Sequence, residues 1–188
     1  LLALLTATFT AMGLRVDAEY RASSDLLRAW RVAPGVEVHV VELSLAGYPY
    51  GKLRLLACQP QPSQRVRSDH GANAPDSPAD VGPKAIDFYV RAPIQSAVEA
   101  LEALGYPARS KPVYHQIGNV ISEEALFTGP DGLPILLMVG HRHYATSMRE
   151  GSPHGRFSEI PTVSVVCGDL AATRRFYADI LGLVAVND

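Results

Sequence analysis

The sequence predicts an α+β fold of tandem strand–helix–strand–strand–strand modules, and three observations carry that prediction. A strand-like alternation, a helical apolar stripe and a Gly stop recur along the chain. The interval from the residue before the helix to the residue that ends it is fourteen positions twice, Ala92 to Tyr106 and Asp169 to Leu183. Three further strand-like runs follow the middle helix, the last two joined by a Gly-Pro-Asp-Gly turn.

The last segment is the clearest. Val163, Val165 and Cys167 alternate as one face of a strand, and Asp169 is placed to cap the helix that follows. Phe176, Tyr177, Ile180 and Leu181 fall at helical spacing, and Gly182 supplies a left-handed stop. In the middle segment Ile86, Phe88 and Val90 alternate, and Pro93 opens a helix striped by Ile94, Ala97, Val98, Leu101 and Leu104. Strands are expected at Ala108 to His115, Ile121 to Thr128 and Leu133 to Val139, with Gly129 to Gly132 turning between the last two.

The first segment shows the same unit without its opening strand. Leu4 to Ala11 reads as the helix, Met12-Gly13-Leu14 as its stop and Arg15 to Tyr20 as a strand. Ser23 to Trp30 reads as an inserted helical turn. Val36 to Leu45 and Lys52 to Cys58 form a hairpin around Gly47 to Gly51. Pro, Ser, Asp and Asn enrichment marks a linker, so the chain divides into module one (1–59), a linker (60–83), module two (84–140), a second linker (141–160) and the start of a third module (161–188). The odd count leads to one more expectation: the strand Thr162 to Cys167 fills the place of module one's absent first strand, within the chain or across a dimer.

Composition narrows the function classes. The 188 residues carry a formal net charge of −2 with no basic stripe, which gives no electrostatic reason for a nucleic-acid or membrane partner. No apolar run approaches the ~18 to 20 residues of a membrane span. Leu1 to Leu5 lacks the basic region of a signal peptide. With no initiator Met, the chain is expected to begin inside a larger gene product or to lack its first residues. Cys58 and Cys167 sit in apolar strand-like runs without a Cys or His at motif spacing, and read as buried free thiols, which suits a reducing cytoplasm. No Gly-x-Gly-x-x-Gly after a strand, phosphate-loop Lys or Gly-x-Ser-x-Gly is present, so nucleotide-dependent and serine-hydrolase chemistry are unsupported.

Asp169-Leu170 before a helix, Phe176-Tyr177 inside it and Leu181-Gly182-Leu183 after it resemble the vicinal-oxygen-chelate superfamily of glyoxalases, bleomycin-resistance proteins and extradiol dioxygenases. Leu104-Gly105-Tyr106 and the turn Gly129-Pro130-Asp131-Gly132 carry the likeness in module two. The resemblance implies that module two pairs with module one, their strands curling into a mostly antiparallel sheet around a U-shaped cleft. There a divalent metal (Fe, Mn, Zn or Mg) and substrate usually sit.

The resemblance also implies ligand positions: a His seven residues before the capping residue and a Glu four after the turn Gly. Here those positions hold Ala85 and Thr162, and Leu136, with Arg54 at the corresponding place in module one. None is a normal ligand for such metals. No metal or other cofactor is therefore expected, and a divalent ion is the alternative.

The cleft is expected to carry Arg54, Asp87, Tyr89, Leu136 and Met138, with His39 and Tyr114 as neighbours. Arg54 reads either as a charge-assisted donor to an anionic or carbonyl oxygen or as a surface Arg paired with Glu37 or Glu42. Leu136 and Met138 suit an apolar or aromatic ligand, or plain core. Asp87 reads as a polar binding group or a strand-edge charge in water, and Tyr89 as packing with its hydroxyl at the rim. His39, beside Glu37 on one strand face, reads as a general base or as a half-exposed strand His. His141 and His143 read as metal ligands on one side of an extended segment or, with His154, as linker polar residues, the default because a loop lacks the rigid frame such sites need.

Three function classes follow. The first is a metal-free module binding a small apolar or aromatic molecule. The second is a metal-dependent lyase or dioxygenase whose active module pair lies at or beyond the C-terminal end. The third is a structural module that mediates homodimerisation.

Overall fold

A computed structural model describes residues 1–61, 82–117, 120–140 and 156–184. Helix α1 (Leu2–Ala11) starts two residues before the Leu4 read from the sequence and buries Thr8 and Phe9. Gly13, at φ +101°, turns the chain into β1 (Arg15–Arg21). The expected helical turn is α2 (Ser24–Ala29), capped by Ser23, whose Oγ accepts from the Leu26 amide. Strands β2 (Glu37–Ser44) and β3 (Leu53–Gln59) then pair antiparallel, with β1 on the other side of β2. The β-branched run explains why β2 takes the centre. Val38 and Val40 are buried on one face of it, and Val41 and Leu43 on the other.

Module two supplies β4 (Gly82–Tyr89), α3 (Gln95–Ala103), β5 (Val113–Ile117), β6 (Val120–Thr128) and β7 (Pro134–Gly140). Its first strand lies parallel beside its last, and β7, β6 and β5 follow antiparallel. Ile94, Ala97, Val98 and Leu101 are buried, the i, i+3, i+4, i+7 stripe that the sequence shows. They join Phe88, Ala125, Phe127, Ile135, Leu137 and Val139 in the core.

Beyond α1, three boundary differences bear on how the modules meet. The strand expected at Ala108 to His115 begins only at Val113, because Pro112 has no N–H to give a ladder; Ala108 keeps one isolated bridge to Phe127. The first linker ends two residues early, since β4 starts at Gly82. The second linker ends inside the protein: Phe157, Ser158 and Glu159 are buried. Phe157 draws that run inward, its ring meeting Phe88 edge-on at 6.4 Å.

One core serves both modules. Phe9 of α1 stacks on Phe88 of β4 at 6.3 Å, and Thr8 Oγ1 shares a 2.9 Å hydrogen bond with the Tyr106 hydroxyl after α3. Removing a ring such as Phe88 from this position costs about 3–5 kcal/mol.

The third module contributes β8 (Thr162–Val166), which pairs antiparallel with the second edge of β4 and completes a five-stranded sheet in the order β5-β6-β7-β4-β8. The run into β8 also touches module one, because a Cβ on Gly51, just before β3, would lie 2.6 Å from the Ile160 carbonyl oxygen. β8 therefore stands within the chain beside β4, with its leading end against the start of β3. No ladder joins β3 and β8 among the described residues. Asp169 Oδ1 caps α4 (Leu170–Arg175) through the Ala172 amide at 2.8 Å, and a π-helical turn, Phe176–Ile180, continues it. The stripe on this helix is uncovered: Leu170 is 74% and Ile180 72% exposed.

Candidate functional site

Strand alternation sorts the expected site residues by face. On β4, Ile86 and Phe88 point into the core, so Asp87 and Tyr89 take the other face. Asp87 stands beside Leu136 of β7, and Tyr89 beside Met138. The next strand continues this surface with Leu126 opposite Leu136 and Glu124 opposite Met138. The structure thus brings together Asp87, Tyr89, Leu136 and Met138. Leu136 and Tyr89 are half-buried, and Met138 is buried.

Asp87 is not a strand-edge charge in water. It is only 3% exposed, because β8 has added to the edge of β4 and covered it. Its Oδ2 accepts from Thr162 Oγ1 at 2.8 Å and from Ser164 Oγ at 3.0 Å. Its Oδ1 is buried without a hydrogen-bond partner among the described residues. Burial pushes this carboxyl above the ordinary carboxylate value, the two hydroxyls pull it down, and the nearby Glu124 adds to the rise. Ser158 hydroxyl accepts from the Tyr89 amide at 2.9 Å, tying the run before β8 to the same strand.

Arg54 belongs to the three-stranded sheet, on the face of Val38, Val40 and Glu42. Of its two readings, the ion pair with Glu42 is the one present. Arg54 Nη2 lies 2.7 Å from Glu42 Oε1, and the Tyr20 hydroxyl donates to that same oxygen at 2.8 Å. The Tyr20 and Arg54 bonds hold the Glu42 carboxyl below its usual range. The Arg54 guanidinium also lies 5.6 Å from the centre of the Trp30 ring, a cation–π contact. Glu37 pairs instead with Arg21.

Two expected neighbours lie on the wrong faces. His39 alternates with Val41 and Leu43, opposite to Arg54, and its Nε2 is 3.1 Å from Glu19 at the sheet's exposed end. Tyr114 pairs with Glu123, which pairs with Val139 on the core side, so its side chain projects from the face opposite Asp87. Tyr114 is 62% exposed. A one-residue step reverses a strand side chain, so strand pattern without register does not fix which face each one takes. His141, His143 and His154 lie outside the described residues. Cys58 and Cys167 are free and half-buried rather than buried.

Sequence reasoning missed the partners. The sequence gives Thr162 no role as a partner of Asp87 and Ser164 no site role, although their alternation with Val163 and Val165 puts both hydroxyls on one face. Tyr20 and Glu124 carried no local signal, since only register brings them to Glu42 and to the Asp87 surface.

The side chains at the four positions that the resemblance marks for ligands do not form a donor set for a divalent cation. Ala85 and Leu136 have no side-chain lone pair, Arg54 is a cation spent on Glu42, and the Thr162 hydroxyl is spent on Asp87. Among the described residues no three His, Cys, Asp or Glu side chains converge. Among the described residues, crevices lie elsewhere. One of about 410 Å³ lies between β8 and α4, lined by Val165, Cys167, Phe176 and Tyr177. Another, about 590 Å³, lies where α1 and α3 end, lined by Met12, Leu45, Leu104, Arg156 and Phe157. Neither is lined by Asp87. No helix among the described residues is long and apolar enough to cross a membrane.

Comparison with known proteins agrees with this architecture. No family model and no curated protein matches the chain by sequence. Among solved structures, a glyoxalase family protein from Bacillus cereus superposes with a TM-score of 0.58 at 17% sequence identity, covering 74% of this chain and 87% of that one. The chain has the α+β fold of a glyoxalase family protein.

Proposed function

We propose that the chain is a metal-free small-molecule-binding protein on the glyoxalase fold, holding an apolar or aromatic molecule against the surface of Tyr89, Leu126, Leu136 and Met138. One observation carries this reading. The two positions where the fold's metal chemistry would need a carboxylate hold Leu136, which lies within this apolar strip, and Arg54, which Glu42 already neutralises. Shape and dispersion then supply affinity, with the Tyr89 ring as a flat contact.

The experiment is titration with the apolar fluorophore anilinonaphthalene sulfonate, together with elemental analysis of the purified protein. Leu136→Asp is expected to weaken binding about tenfold or more, the scale of one lost apolar contact plus a buried charge. About one tightly bound divalent ion per chain, or equal binding by Leu136→Asp, would overturn the reading.

Self-association is a second reading, favoured by the uncovered stripe of Leu170, Ile180 and Leu183. A monomer by light scattering across a wide concentration range removes it.

A further inference from the structure

We propose that Asp87 is a protonation-controlled latch for β8: as a neutral acid it holds the strand through Thr162 and Ser164, and its ionisation loosens β8 and α4 from β4. The proposal is independent of any ligand on the neighbouring surface.

The geometry comes first. Both hydroxyls on Asp87 come from the same short strand, and both reach the same oxygen, Oδ2. Among the described residues Oδ1 has no donor, and it is closed to water. An ionised carboxylate would therefore leave a charged oxygen buried and unpaired, a costly state. A neutral acid places its proton on Oδ1 and keeps Oδ2 as the carbonyl that accepts both hydroxyls. This removes the charge while retaining every observed bond.

The strand is also weakly anchored otherwise. No residue of β8 joins the buried core, and Val163 and Val165 are 53% and 43% exposed. Beyond it, α4 leaves Leu170 and Ile180 in water. β8 is held by its ladder to β4 and by the two bonds to Asp87.

The surrounding charges reinforce the effect. Glu124, from β6, is the charged group that acts on Asp87, and its like charge disfavours ionisation. The neighbouring β7 residues, Leu136 and Met138, and the facing β8 residues, Thr162 and Ser164, bear no charge. Tyr89 is the titratable side chain that follows on the same face of β4. Glu159, buried before β8, is not among the groups that shift Asp87.

The sign follows from linkage. With β8 docked, burial raises the Asp87 carboxyl; with β8 released, the group meets water and returns toward its model value of 3.8. Docking is therefore fully favoured below that value and weakens as pH rises through the raised one. Between the two values, each pH unit changes the docked-to-released ratio by up to about tenfold.

Hydrogen exchange of the 162–166 amides, corrected for intrinsic rates and compared with β6 and β7, measures this from about pH 4 to about pH 8. In the native protein, protection of β8 is expected to fall up to about tenfold per pH unit within the window while β6 and β7 hold. Asp87→Asn keeps a neutral acceptor for both hydroxyls, and its β8 protection should be flat with pH. Glu124→Gln should shrink the total loss, because Asp87 in the docked state then ionises nearer its ordinary value. Coincident profiles for the native protein and Asp87→Asn, or protection that rises with pH, would overturn the proposal. If Asp87→Asn does not fold, an unchanged profile in Glu124→Gln overturns it as well.

Discussion

Asp87 and Thr162 stand directly opposite each other on antiparallel β4 and β8, and the Thr162 hydroxyl donates to the Asp87 carboxyl at 2.8 Å. Thr162→Val keeps the shape and removes the donor. It is expected to cost about 1–3 kcal/mol at neutral pH, the penalty of leaving a buried acceptor under-satisfied. It should also push the Asp87 carboxyl further up, since the lost bond is one that lowers it. Urea unfolding midpoints test this. In an Asp87→Leu background the same change should cost under about 0.5 kcal/mol, because no carboxyl remains to be abandoned.

That pair also shows how far the sequence could be read. Period-two alternation was enough to put Thr162 and Ser164 together on one face and Val163 and Val165 on the other, and helical spacing found Ile94, Ala97, Val98 and Leu101. Those signals are local. Whether Asp87 is wet or buried depends on which strand takes the outer edge of β4, a contact 75 residues away in sequence. His39 and Tyr114 failed for the same reason at shorter range. Their faces are fixed by register against Ala57 and Glu123, which neither composition nor motif specifies. Arg54 was legible only as a choice between partners, and the pairing of β2 with β3 made that choice by setting Glu42 opposite it.

The Arg54–Glu42 pair predicts a small effect on stability and a visible optical one. The guanidinium is about half exposed, with a side-chain accessibility of 49%, so Arg54→Ala should cost no more than about 1 kcal/mol. Glu42 retains the Tyr20 hydroxyl in that variant. Because its carboxyl is held below the ordinary value, Glu42 contributes stability that is present above the unfolded value and lost as pH falls through the folded one. Arg54→Ala should lessen that acid sensitivity. Trp30 is the single tryptophan, so its emission should shift when the cation leaves its ring. An unchanged spectrum would show that the contact is not held in solution.

Gly51 tests the junction between module one and the run into β8. It sits at φ +68°, and an added Cβ would meet the Ile160 carbonyl oxygen at 2.6 Å and the Ile160 amide nitrogen at 2.8 Å, both backbone atoms that cannot swing aside. Gly35 has a similar φ of +83° but nothing within 4 Å of the same position. Gly35→Ala therefore isolates the backbone cost, about 1–2 kcal/mol for a left-handed conformation. Gly51→Ala carries that cost plus the clash, and is expected to reach about 3 kcal/mol or more. Denaturation midpoints of the two variants, measured side by side, give the difference. Equal losses would mean that the segment before β8 does not rest on the start of β3 and that the two modules meet only through α1 and the shared core.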